Sequence, residues 1–234
     1  MLWYKAWRES RIRFAISAAV LVGFCIFATM SRRQLGPVGS GSLTLRIHHL
    51  IYAGTAKGAF ALLSLFLGLG GLVRERARRT STFTLALPVT RLQIVGTQIG
   101  MGLLQLAVLS LVPVLFLPPL SRLVDAPVAL RYTLHYSILW FVCGSTIFAV
   151  AYLLSVFLEG EYTAAVLCYI LLMVQALVAS WQPLRPYRLN LLWTMANNDL
   201  SGKLGVPGNR LLALALVTAA IFALAAWRTQ KEDF

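Results

Sequence analysis

Six uninterrupted apolar stretches constrain this chain more than any other feature of its sequence. They lie at about 14–30, 54–73, 94–117, 133–158, 162–180 and 210–227. A hydrocarbon core about 30 Å thick is crossed by roughly 20 residues of apolar helix. The first stretch is short and calls for local bilayer thinning or snorkelling flanks. In lipid only helices and closed barrels satisfy every backbone polar group, and runs this long are not the alternating strands of a barrel. The expected fold class is an all-α integral membrane protein: a single transmembrane domain over 1–234 with six transmembrane helices.

Composition agrees. Of 234 residues, 59% are hydrophobic and 12% charged, against about half and a quarter in a soluble domain. A soluble fold of this size would leave much of that apolar surface in water. The net charge of +13 raises nucleic acid as a partner, but that reading needs a basic face or stripe. Here Lys and Arg sit in short runs between apolar stretches, which suits anionic lipid headgroups. Membrane lipids are the expected partners and nucleic acid is not. Cys25, Cys143 and Cys168 all fall inside apolar stretches without a CxxC pair, so they read as small buried hydrophobes. The run from Phe14 to Met30 ends at Ser31-Arg32-Arg33 with no small-x-small cleavage pattern, and reads as a retained signal-anchor helix.

Orientation follows from basic residues near the helix ends. Lys5, Arg8, Arg11 and Arg13 precede the first span. Arg74, Arg76, Arg78, Arg79 and Arg91 follow the second, and Arg228 and Lys231 follow the sixth. The opposite loops carry nearly as many, but spread over longer segments. Both termini are expected in the cytoplasm of a multi-pass cell-membrane protein of the bacterial inner-membrane type. Trp3, Trp7, Trp181 and Trp227 fall at span boundaries, where amphipathic rings collect. Within residues 1–13, Leu2, Trp3, Ala6 and Trp7 share one side of a helical wheel, with Lys5, Arg8 and Arg11 on the other. That pattern predicts an interfacial amphipathic helix; a frayed basic tail is the plainer alternative. The connection 181–209 contains Leu189, Leu191, Leu192 and Trp193 and predicts a short half-buried helix.

Much chemistry is missing from the sequence. No GxxxxGK[ST] phosphate loop occurs, and Gly202-Lys203 lacks its preceding glycine. The acidic residues Glu9, Glu75, Asp125, Glu159, Glu161, Asp199, Glu232 and Asp233 all fall outside the middle of the spans, where an ion-coupled carrier usually keeps a carboxylate. Lys57 and His135 lie near outer span ends and read as interfacial residues. His48 and His49 do not make a metal site by themselves. Ser145 has no histidine in the sixth span to act as its base. No catalytic residue and no metal ligand is expected. Gln98, Gly102 and Gln105 share one face of the third span at i, i+4 and i+7; they either line a path or bond a neighbouring helix. Gly96-Thr-Gln-Ile-Gly100 is a GxxxG match.

The most informative segment is Arg74-Glu-Arg-Ala-Arg-Arg-Thr-Ser-Thr-Phe-Thr-Leu-Ala-Leu-Pro-Val-Thr-Arg91, a loop with a charged first half and an apolar second half. Thr80 suits an N-cap and Pro88 ends a helix. Phe83, Leu85 and Leu87 are apolar on the solvent side, a pattern suited to docking in a partner's groove; an interfacial turn between two spans is the plainer reading. This segment resembles that of the membrane subunits of ABC-2-type ABC transporters, which carry E-x-x-x-G-T-x-x-x-L-L-x-L-P-V-[ST]-R after the second span. Glu75, Thr80, Leu85, Leu87, Pro88, Val89, Thr90 and Arg91 match; Arg79 replaces the usual glycine and Ala77 an acid often found there. The Trp-Arg-Glu-Ser-Arg opening, the tight turn between spans four and five, the long loop before span six and the Arg-Thr-Gln-Lys-Glu-Asp-Phe ending extend the likeness over most of the chain.

The resemblance implies a permease subunit, and an exporter in particular. It implies pairing with a second permease chain, identical or a close paralogue, and service by two copies of a separate ABC ATPase subunit. This chain would bind no cofactor and would not be an enzyme; ATP and Mg would sit on the ATPase. Residues 75–91 would be the coupling helix, with Glu75, Thr80, Phe83, Leu85, Leu87, Pro88, Val89, Thr90 and Arg91 receiving the ATPase stroke. Trp3, Lys5, Trp7, Arg8 and Arg11 would belong to the interfacial helix. A membrane anchor or scaffold that transports nothing is the alternative function.

Overall fold

A computed structural model describes residues 2–30, 51–52, 54–69, 91–123, 129–158, 161–181, 191–196 and 208–231. Among them every regular element is helical. The helices are α1 (Leu2–Met30), α2 (Thr55–Gly68), α3 (Arg91–Arg122), α4 (Leu130–Phe157), α5 (Glu161–Ser180), α6 (Leu191–Ala196) and α7 (Gly208–Lys231). Four segments are long and apolar enough to cross a membrane: Ser10–Met30, Leu92–Arg122, Leu130–Phe157 and Gly208–Gln230. The expected second and fifth spans appear as shorter apolar helices, Thr55–Gly68 and Thr163–Val178. At 1.5 Å per residue α2 rises about 21 Å, less than the hydrocarbon thickness; residues 70–73 of that expected span lie outside the described residues.

The break expected near residue 13 is not seen: α1 runs unbroken for 29 residues. Lys and Arg are good helix formers, so a change from basic to apolar composition carries no signal for the backbone to stop. The expected short helix in 181–209 is present as α6, with Thr194, Met195 and Ala196 buried. His135 lies in the second turn of α4. It is buried, with its ring edge-on to Tyr136.

α4 is the central helix. Of its membrane-length window 67% is buried, against 11% for α7. It touches α2, α3, α5, α6 and α7. Its approach to α2 is set by two glycines. A Cβ at Gly68 would meet the Ala151 Cβ at 2.7 Å and the Phe148 carbonyl at 2.8 Å, and a Cβ at Gly144 would meet the Phe60 ring at 2.8 Å. At the far end of the same seam Tyr52 stacks on Tyr136 with centroids 4.1 Å apart, and Trp140 closes on Tyr52 at 5.6 Å and on Phe60 at 4.7 Å. Offset and edge-on ring pairs of this kind contribute beyond their buried area.

Hydroxyls inside the bundle are satisfied locally. Ser17, Thr29 and Ser64 each donate to the carbonyl one turn back, which keeps a polar group in an apolar span from being left unpaired; the Thr146 and Thr218 hydroxyls bond each other at 2.9 Å. Pro113 lies inside α3 and removes one donor from the ladder there. Nearby, Ser137 of α4 donates its hydroxyl to the Ser110 carbonyl, a bond between the two helices.

Contacts fix how the helices run. Tyr52, which precedes α2, and Phe60 and Gly68 of α2 meet Tyr136, Gly144 and Ala151 of α4 in the same order, so α2 and α4 are parallel. α7 is parallel to α4 as well: Thr146 meets Thr218, Tyr152 meets Phe222, and Arg228 lies 5.5 Å from the Phe157 ring centroid. α3 is antiparallel to α4, through Ser110–Ser137, Gly102–Phe148 and Gln98–Tyr152. α1 is parallel to α3, with Trp3 against Gly100 and Ser10 against Gln105. One end of the bundle therefore gathers the first turns of α1 and α3 and the last turns of α2, α4 and α7. Lys5, Arg8, Arg11, Arg13, Arg91 and Arg228 belong to that end.

The glycine seam gives a stability test. Gly68→Val overpacks α2 against α4 backbone and is expected to cost about 1–3 kcal/mol. Gly23→Ala, where nothing lies within 4 Å, is expected to be neutral or stabilising by up to about 1 kcal/mol. Denaturant unfolding of the detergent-solubilised chain measures both; equal effects would contradict the α2–α4 packing.

Candidate functional site

Where α1, α2, α3 and α4 meet at the shared end, they leave a cavity of about 50 Å³. Its wall combines Ala6, Ser10 and Arg13 of α1, Leu67 and Gly68 of α2, Gln98, Met101, Gly102 and Gln105 of α3, and Phe148 and Tyr152 of α4. On α1, α3 and α4 the lining residues recur about one turn apart. Ser10 follows Ala6 by four positions on α1, and Gln98, Gly102 and Gln105 share one face of α3. Gly102 is required by the neighbouring helix, since a Cβ there would come within 2.3 Å of the Phe148 ring. That ring forms the apolar floor, beside Tyr152 at 6.3 Å and Phe222 at 5.8 Å.

Hydrogen bonds tie the walls together. Gln105 donates its Nε2 to the Ser10 hydroxyl at 2.6 Å, and Ser10 in turn donates to the Ala6 carbonyl at 2.8 Å. Tyr152 donates its hydroxyl to Gln98 Oε1 at 3.2 Å. Arg13 donates Nη1 to the Phe66 carbonyl at 3.2 Å, joining α1 to the end of α2. Gln105 is 1% exposed, and its Oε1 has no hydrogen-bond partner. A buried acceptor left this way costs about 1–3 kcal/mol unless water or a ligand reaches it. Reversing the amide would move the deficit from an acceptor to a donor without removing it.

Gln98, Gly102 and Gln105, the polar face read from the sequence, thus line one cavity together. Gln98 also bonds Tyr152 of α4 and Gln105 bonds Ser10 of α1. Sequence reasoning missed Ser10, Arg13, Phe148 and Tyr152. The signal available for Ser10 was a small hydroxyl one turn after Ala6 inside an otherwise basic segment; nothing local marks Phe148 or Tyr152. The neighbouring GxxxG pair does not bring helix backbones together: Gly96 has nothing within 4 Å, and Gly100 accommodates the Trp3 ring, 3.1 Å from where a Cβ would stand.

The other expected site residues divide in two groups. Trp3, Lys5, Trp7, Arg8 and Arg11 occupy the first turns of α1; Trp3 and Trp7 remain 51% and 39% exposed, and Trp7 tilts onto Phe14 at 5.7 Å. Glu75, Thr80, Phe83, Leu85, Leu87, Pro88, Val89 and Thr90 lie outside the described residues, and Arg91 opens α3. The three cysteines are buried and unpaired. No family model matches this chain, and no curated protein matches it.

A double-mutant cycle tests the Ser10–Gln105 link. Ser10→Ala strands both ends of a buried amide and is expected to cost about 1–3 kcal/mol, whereas Gln105→Leu leaves Ser10 its Ala6 bond and costs less. The coupling read from the double variant is expected near 0.6 kcal/mol and no more than about 1.7, the range for polar pairs between membrane helices. Strict additivity in unfolding measurements would show the two side chains are not bonded.

Proposed function

We propose that this chain is the membrane-spanning permease subunit of an ATP-driven transporter of the ABC-2 type, an exporter that works with a second permease chain and separate ATPase subunits. The observation that carries the reading is the segment 74–91, in which arginines precede an apolar, proline-ended stretch matching the family pattern from Glu75 to Arg91. The chain is all helical among its described residues and has four helices able to span a membrane, as a permease requires. The six-span topology with both termini cytoplasmic belongs to this proposal. It is supported by the helix directions, under which the start of α1, the end of α2, the start of α3 and the end of α7 lie at the bundle end that carries Lys5, Arg8, Arg11, Arg13, Arg91 and Arg228.

In this mechanism the ATPase grips Thr80 to Arg91 through Phe83, Leu85 and Leu87. Closure of the ATPase pair on ATP pushes that segment toward the bundle. The push is delivered at the junction with α2 and α3, because the segment is covalently continuous with both. The first turns of α1, carrying Trp3, Lys5, Trp7, Arg8 and Arg11, pack beside the start of α3 and form the interfacial part of the ATPase contact. The chain itself hydrolyses nothing; its work is conformational, reshaping a path between paired permease chains.

Replacing Phe83 and Leu85 with Asp places charges where an apolar docking contact is needed. Loss of the co-purifying ATPase, with membrane insertion unchanged, is the expected result. Recovery of the same ATPase with the doubly substituted chain would remove the docking role of this segment.

A further inference from the structure

Arg13 is the innermost charge in the apolar segment Ser10–Met30 of α1. A charge at such a position is costly and marks a binding site more often than not. Its Nη1 donates to the Phe66 carbonyl at 3.2 Å, and that bond lies on the exposed surface of the bundle. The guanidinium is therefore held against the last turn of α2, on the side that lipid reaches. A planar guanidinium fork suits a phosphate. From this point exposed apolar residues lead away in one direction. Ile16 and Val20 follow Arg13 by three and seven positions, on the same side of α1, and Leu62 lies one turn before Phe66 on the same side of α2; all three are exposed. α1 and α2 are antiparallel, so both rows run from Arg13 away from the basic end of the bundle. We propose that this seam between α1 and α2 binds one anionic phospholipid, with its phosphate on Arg13 and an acyl chain along Ile16, Val20 and Leu62.

Charge and shape select this occupant. Residues 5–13 carry Lys5, Arg8, Arg11 and Arg13 against Glu9 alone, so the local field favours a headgroup with net negative charge. A zwitterionic headgroup would bring its own cation among these basic residues. A free anion would gain nothing from the apolar rows. A second copy of this chain fits poorly, because a two-fold contact across the seam would set one basic segment against its equivalent. The polarity of the site matches a phospholipid in a leaflet. The Arg13 stem leans toward the start of α1, as long side chains on a helix do, which carries the guanidinium toward the headgroups. The acyl rows lead the opposite way, into the hydrocarbon. The cavity of about 50 Å³ that Arg13 also lines is too small for a headgroup. The phosphate therefore sits on the outer side of the guanidinium, and the polar residues of the cavity take no part in the site.

The site is tested on the full-length chain in detergent by native mass spectrometry. Phosphatidylglycerol, phosphatidylcholine and inorganic phosphate are titrated separately, and phosphatidylglycerol again in a millimolar excess of phosphate. The expected result is one phosphatidylglycerol retained per chain, in preference to phosphatidylcholine and not displaced by phosphate. Arg13→Gln is expected to weaken retention about tenfold through loss of a charge-assisted hydrogen bond. Arg13→Lys keeps the charge and is expected to weaken it much less, as is Arg8→Gln on the exposed side of α1. Both Arg13 variants lose the fork that engages Phe66, so a purely structural role would make them fail alike. In a second measurement, phosphatidylglycerol with a diazirine in one acyl chain is photolysed on the native chain, with adducts expected within 16–20 and 62–66. Equal retention of the two lipids, displacement by inorganic phosphate, equal loss in Arg13→Gln and Arg13→Lys, an Arg8→Gln effect as large as that of Arg13→Gln, or adducts confined to α5 and α7 would each overturn the proposal. The site does not rest on the transporter reading, and no outcome here bears on whether residues 74–91 bind an ATPase.

Discussion

An unpaired backbone amide or carbonyl in hydrocarbon costs several kcal/mol, and the rest of this structure follows from avoiding that cost. The chain answers with helices throughout its described residues, and with side chains that repair the ladder where it is weakened. Arg13 bonding the Phe66 carbonyl near the end of α2 is one such contact. Once the backbone is satisfied within each helix, association is left to close packing and a few polar contacts between helices, since lipid tails are as apolar as leucine. Gly68, Gly102 and Gly144 supply the packing, and Gln105–Ser10, Gln98–Tyr152 and Thr146–Thr218 supply the contacts. The same solvent explains the outer surface. Ile170, Val174 and Leu177 of α5, and Leu212, Leu216 and Val217 of α7, are exposed, an arrangement that would drive aggregation in water and is ordinary in lipid.

The site and the topology are linked through one end of the bundle. The first turns of α1 and α3 and the last turns of α2 and α4 converge on the polar cavity, and α2 and α3 are joined by the connection 70–90. A displacement applied to that connection reaches Gly68 within two residues of the end of the described part of α2, and Gln98 within two turns of the start of α3. Gly68 abuts α4, and Gln98 bonds it. Both helices that flank residues 70–90 therefore bear on α4 close to the cavity.

Much of the fold was legible because apolar run length reports directly on helices in lipid. The stretches read as 133–158, 162–180 and 210–227 correspond to helices 130–157, 161–180 and 208–231. The third helix extends beyond its stretch of 94–117 to 91–122, because residues such as Arg91, Gln93 and Arg122 continue a helix without being apolar. The first was misdivided at residue 13 for the same reason. Of the site, the face formed by Gln98, Gly102 and Gln105 was legible because amides stand out at helical spacing in an apolar run. Ser10, Arg13, Phe148 and Tyr152 were not, because their relation to that face exists only once α1 and α4 lie against α3. Trp140 shows the same limit. The four tryptophans read as boundary residues are exposed, but Trp140 is fully buried, among rings brought in by α2.

The claim on which the functional reading turns is that the segment between α2 and α3 faces the cytoplasm. A single cysteine at Thr80, in a chain whose native cysteines are replaced, tests it by reaction with a membrane-impermeant maleimide. Labelling in inverted membrane vesicles and none in intact cells is the result predicted. Labelling in intact cells would place the segment outside, reverse the orientation of the whole bundle, and leave no surface for an ATPase to drive.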